Sequence, residues 1–71
     1  MEVLVFKTNV RNRNNINSVS AALDALTGIV KWNFDLQDVD RILRVEAADI
    51  SPRKVELVLH YAGFTCEELP D

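Results

Sequence analysis

A chain of 71 residues is expected to hold one domain, spanning 1–71, and at this length folding buries only about 60% of the unfolded surface, so few side chains make the core. A composition 48% hydrophobic and 27% charged is that of a globule and excludes a chain left disordered for want of apolar burial. A net charge of −3 and a pI near 5.0 exclude nucleic acid as the principal ligand, which needs Lys and Arg clustered on one face.

No apolar run approaches the roughly 18 residues of a spanning helix, and the first residues lack the charged-then-apolar pattern of a secretory signal, so neither a membrane nor export is expected. One cysteine, Cys66, closes no intramolecular disulfide. A small chain without disulfides fits a reducing compartment, and the expected location is cytoplasmic.

Glu2 to Thr8 is dense in β-branched and aromatic residues and too short for a helix, which predicts a central strand buried on both sides at its middle. A polar, asparagine-rich loop follows. Ile16, Val19, Leu23 and Leu26, at spacings of three, four and three, predict a helix from about Asn15 to Thr27, with Ala22 beside the stripe. Asn14 or Asn15 is the expected cap, and Gly28 the left-handed stop. From Ile29 to Leu36 the period becomes two, with Val30, Trp32, Phe34 and Leu36 inward.

After the polar turn Gln37–Asp40, Arg41 to Ala47 is a second alternating run, with Leu43, Val45 and Ala47 inward and Ile42 on the wet face. The two runs are close enough to pair as an antiparallel hairpin. Ser51-Pro52 is the clearest helix start, a capping hydroxyl followed by proline where its missing N–H costs nothing. Val55, Val58, Leu59 and Ala62 line a helix closing at Gly63, and Phe64–Leu69 is a final edge strand. The order is β-α-β-β-α-β. The arrangement that buries every apolar face is the α+β, ferredoxin-like sandwich, a four-stranded antiparallel sheet with two helices on one face.

The chemistry-bearing residues are sparse. The scattered carboxylates have no partner histidine, and neither a nucleophile triad nor a glycine-rich phosphate loop is present, so the chain is expected not to be an enzyme. Cys66 reads as a small apolar filler, with a reactive thiol as the alternative. His60 and Glu56 stand four apart on one helix, a spacing that suits either a two-point metal pair or an exposed histidine beside a carboxylate. Trp32 and Phe34 read as core. In the loop, Asn12 and Asn15 suit turn and cap roles. With Arg11, Arg13 and Asn14 they also present donors at a positive helix end, where a carboxylate, a phosphate or an acidic protein surface docks.

Thr8-Asn9-Val10, Val19-x-x-Ala22-Leu23-x-x-Leu26-x-Gly28-Ile29, Trp32-x-x-Asp35, Ile42-Leu43-x-Val45, Ser51-Pro52 and Ala62-Gly63-Phe64, in this element order, resemble the heavy-metal-associated domain over nearly the whole chain. The chain is most similar to the stand-alone, bacterial copper-chaperone-like members, in which Thr-Asn-Ile leads into Cys-x-x-Cys. The resemblance implies Cu(I), or Zn(II) in relatives, carried on two thiolates and passed to a transport ATPase. It places the two metal cysteines at Asn12 and Asn15 and the preceding apolar anchor at Val10. Cu(I) selects soft sulfur and a carboxamide is a hard donor, so the metal motif is degenerate and neither a cofactor nor a metal ligand is expected here.

The leading expectation is a metal-independent interaction or regulatory module contacting a protein through the Arg11–Asn15 loop, as a monomer or weak homodimer. The rivals are a metal-handling protein completing a site with Cys66 or His60 across a dimer, and a small-molecule sensor of the same strand order.

Overall fold

The computed structural model describes residues 1–70, in the order β1 (Glu2–Thr8), α1 (Arg13–Ala25), β2 (Ile29–Asp35), β3 (Ile42–Ala47), α2 (Pro52–Tyr61) and β4 (Cys66–Glu68). The strands form one antiparallel sheet in the order β2-β3-β1-β4, so β1 is central and β4 an edge, as expected. Register places Leu4 opposite Val45 and Phe6 opposite Leu43, and these four side chains, with Ala47 of β3 and Cys66 of β4, make the sheet's contribution to the core. Val19 and Leu23 of α1 and Val55 and Leu59 of α2 are fully buried in the same cluster, which sets both helices on one face. This is the ferredoxin-like sandwich. No helix among the described residues is long and apolar enough to cross a membrane.

Because the helices cover only one face, β1 is not buried on both sides: Val3 is 54% exposed and Val5 half-buried, while Leu4 and Phe6 point inward. In β2 the pairing jumps from Ile29–Ala47 to Lys31–Glu46, so Val30 has no partner. That bulge turns Val30 outward, 57% exposed, and the alternation holds only from Trp32 onward. Leu36 falls in the turn, past the end of β2.

Ile42, expected to be wet, is buried, since on the open face it lies in register between Lys7 of β1 and Asp35 of β2. Just before it, Arg41 takes a left-handed φ of 51°. Its N–H donates to the Asp38 carbonyl at 3.0 Å and its guanidinium to the Leu36 carbonyl at 2.6 Å, which closes the hairpin turn.

Helix α1 begins earlier than the periodicity indicates, with Asn12 as cap rather than Asn14 or Asn15, and it ends at Ala25. Gly28 follows at φ 99°, its carbonyl accepting from Ala48 N–H at 2.8 Å. A Cβ there would collide with the Asp49 carbonyl, so glycine is required for conformation and close approach alike.

Helix α2 starts as read, with Ser51 Oγ accepting from Arg53 N–H at 3.3 Å and Pro52 first in the helix. Ala62 is an exposed cap rather than part of the stripe. Gly63, at φ 95°, donates to the His60 carbonyl at 3.0 Å and Phe64 N–H to the Leu59 carbonyl at 2.9 Å, the paired bonds of a Schellman stop. Strand β4 is shorter than Phe64–Leu69, although Leu69 N–H still reaches the Val5 carbonyl at 2.8 Å.

Candidate functional site

The loop between β1 and α1 is held from both ends. Thr8, the last residue of β1, is buried with its hydroxyl donating to the Arg41 carbonyl at 2.6 Å and accepting from Val10 N–H at 3.2 Å. One hydroxyl thus ties the loop to the β2–β3 turn. Val10 is fully buried in the core cluster, the anchor the resemblance places there. Asn9 Oδ1 accepts from Thr65 N–H at 2.9 Å, fixing the loop to the approach of β4.

Beyond Val10 the backbone swings into α1. Asn12, at φ −151° and ψ 175°, accepts on its side-chain oxygen from Asn15 N–H at 2.9 Å, and its carbonyl takes the first helical bond from Ile16 N–H at 3.1 Å. Asn15 reaches back, its Oδ1 accepting from Arg11 N–H at 3.0 Å. The two carboxamides thus form a reciprocal clasp like a capping box, shifted one residue upstream on its return bond. Asn14 accepts from the Ser18 hydroxyl through its carbonyl at 3.1 Å, leaving its exposed amide free of the clasp.

Arg11 and Arg13 are exposed, and the ion pairs among the described residues, Lys7–Asp40 and Lys31–Glu46, involve neither. The first turn of α1 holds no acidic residue, so the positive end of its dipole carries Arg13 at the first helical position.

Cys66 and His60 are not part of this clasp. With Lys7, Thr8, Asn9, Thr65 and Glu67 they line an open cleft of about 480 Å³ between β1, β4 and the end of α2. Cys66 is 5% exposed and belongs to the core cluster, as the filler reading expects. Burial, with the Glu56 carboxylate nearby, pushes its thiol up to about 12. Glu56 accepts from Glu68 N–H through Oε2 at 2.9 Å, which ties α2 to strand β4. Among the described residues no group of three or more His, Cys, Asp or Glu side chains is disposed to hold a metal ion.

Trp32 and Phe34 are half-buried against the core and meet edge-to-face at 5.9 Å, with the indole N–H donating to Asp24 Oδ1 at 2.8 Å. Sequence reasoning missed Thr8, Asn9 and Glu56 as positioning residues. For Thr8 and Asn9 the signal was a polar pair between a strand and a buried valine. For Glu56 no local signal exists, because its partner is 12 residues away.

No protein-family model matches the sequence, and no curated protein matches it. By structure the chain is similar to the yeast copper transporter domain Ccc2a in its apo and Cu(I)-loaded states, at 20% identity and a TM-score of 0.85 over 100% of this chain and 99% of that one. It is similar to a copper-binding domain of HMA7, a P-type ATPase, at 22% identity and a TM-score of 0.80, covering 99% of this chain and 96% of that one. A chain of the Atx1–Cu(I)–Ccc2a complex matches at 20% identity and a TM-score of 0.80, over 100% and 99% of the two chains. Identities this low establish the fold, which is that of the heavy-metal-associated, copper-chaperone-like domains.

Proposed function

We propose that this chain is a non-enzymatic interaction or regulatory module on the heavy-metal-associated fold, without a thiolate metal site, that engages a protein partner through the Arg11–Asn15 loop. The reading is carried by the clasp. Asn12 Oδ1 is committed to Asn15 N–H and Asn15 Oδ1 to Arg11 N–H, so the positions matched to the metal cysteines present hard oxygens already bonded to backbone. Cu(I) selects soft sulfur, and this donor set does not fit it. The chain's one thiol is buried and held protonated, whereas the thiolate is the metal-binding form.

The charge at the helix start supports a docking role. A basic residue at the first position of α1 opposes the helix dipole, and a local arrangement that works against stability marks a surface kept for binding. Two exposed arginines beside free backbone donors suit an acidic partner surface. The similar chain in the Atx1–Cu(I)–Ccc2a complex supports a protein partner for this fold.

Cu(I) titration in reducing buffer against a competing chelator tests the reading. The chain is expected to form no stoichiometric complex, while Asn12→Cys/Asn15→Cys gains one because the scaffold around the loop is retained. A stoichiometric, submicromolar complex of the unsubstituted chain overturns it. A second reading, copper handling through an intermolecular site, rests on Cys66 and His60 lining one cleft. Native mass spectrometry separates the two, since metal-linked dimers disappear on adding chelator.

A further inference from the structure

The two edges of the sheet are finished differently. Strand β4 is three residues long, and its Glu68 N–H is taken by Glu56 Oε2 at 2.9 Å, so that edge is short and closed by a side chain. At the opposite edge β2 runs seven residues, and among the described residues no side chain takes a β2 backbone N–H. The bulge at Val30 confines the regular part of this edge to Lys31–Asp35.

One protection a long edge can carry against a second copy is charges of one sign, which repel when the strand meets itself. Here Lys31 and Asp35 are exposed and stand symmetrically about Asn33, so the edge is complementary to itself. Antiparallel pairing centred on Asn33 sets Lys31 against the second copy's Asp35 and Trp32 against its Phe34, each contact made twice. Trp32 and Phe34 are only half-buried, and a second strand covers the sides that the edge leaves open. Lys31 is free to turn toward the new partner, since its ion pair with Glu46 is long, 3.8 Å, and solvent-exposed.

We infer that two copies of this chain join through β2, antiparallel about Asn33, into one continuous eight-stranded sheet. The Arg11–Asn15 loop leaves the far end of β1, two strands in from this edge, so it stays uncovered in each copy. The two-fold axis sets the two loops at opposite ends of the dimer, so each stays open to its own partner. The pairing does not depend on what the loop binds.

Sedimentation equilibrium of the full chain with reductant and chelator present tests this, together with Lys31→Asp, Asp35→Lys and the double reversal Lys31→Asp/Asp35→Lys. The unsubstituted chain dimerises with rising concentration. Each single reversal turns two attractive pairs into two like-charge pairs and weakens the dimer about tenfold or more, and the double reversal restores it. A chain that stays monomeric at millimolar concentration, a dimer indifferent to both single reversals, or a double reversal that fails to restore association overturns the inference. Hydrogen exchange on the unsubstituted chain gives an independent reading: the amides of Lys31–Asp35 that face away from β3 slow as protein concentration rises, and concentration-independent exchange there sinks the proposal even if a variant fails to fold.

Discussion

Replacing Asn12 by alanine isolates the clasp from everything else in the loop. The substitution removes the acceptor for Asn15 N–H at 2.9 Å but leaves the backbone bond from Ile16 N–H to the residue-12 carbonyl, which needs no side chain. The bond is exposed, so the freed Asn15 N–H recovers a water partner, and the loss is the capping preference itself, about 1 kcal/mol. In a chain of this size that lowers Tm by about 4–8 °C.

Asn12→Cys is expected to cost nearly as much, because a thiol is a poor acceptor for a helix N–H. Asn15→Ala is expected to be close to neutral. It loses an exposed bond to Arg11 N–H, and alanine returns roughly 0.6 kcal/mol of helix propensity inside α1. Urea unfolding followed by Trp32 fluorescence and by helical circular dichroism measures all three, with the m-value unchanged. If Asn12→Ala is as stable as the unsubstituted chain, or if Asn15→Ala costs more than Asn12→Ala, the clasp does not hold the helix start in the way described.

Gly28→Ala is expected to lose more than about 2 kcal/mol, since the new Cβ meets the Asp49 carbonyl and the residue is held at φ 99°. Gly63→Ala, at φ 95° but with open space around the Cβ, should lose only about 1 kcal/mol, and equal losses in chemical denaturation would refute the packing argument. Cys66 sets an alkaline limit. Below its ordinary value of 9.0 both folded and unfolded chains keep the proton; between 9.0 and about 12 only the folded chain does, so stability falls with rising pH by up to about 1.4 kcal/mol per unit. Cys66→Ala should flatten that decline, and an unchanged slope would mean that the thiol is not responsible. Arg13→Glu is expected to raise stability by about 0.3–1 kcal/mol through the α1 dipole while abolishing capture of an acidic partner; a loss of stability would remove the electrostatic case for a docking surface.

Much of the fold was legible because its signals are local. The stripe Ile16, Val19, Leu23 and Leu26 marks a helix, Ser51-Pro52 marks a start, and Gly63 marks a stop, each within about three turns of chain. The errors fall where position in the sheet outweighs pattern. Val3 and Ile42 look alike as apolar residues in strands, yet Val3 is exposed on the uncovered face and Ile42 is enclosed between two neighbouring strands. Val30 fits the alternation in sequence, but a bulge interrupts it in space. At the site, the asparagines were visible as turn and cap residues, while the choice among Asn12, Asn14 and Asn15 depended on where Val10 enters the core and so where the helix can begin.

The amino-acid order alone determined the elements, their succession and the absence of paired thiols, because period, capping chemistry and residue identity are properties of short stretches. Only the folded chain decided that Thr8 clamps the loop to residue 41, that Asn9 holds Thr65, that Glu56 closes one edge of the sheet and that β2 is left open at the other. Those contacts join residues 12 to 56 positions apart, and a distance of that kind exists only once the helices and strands have packed.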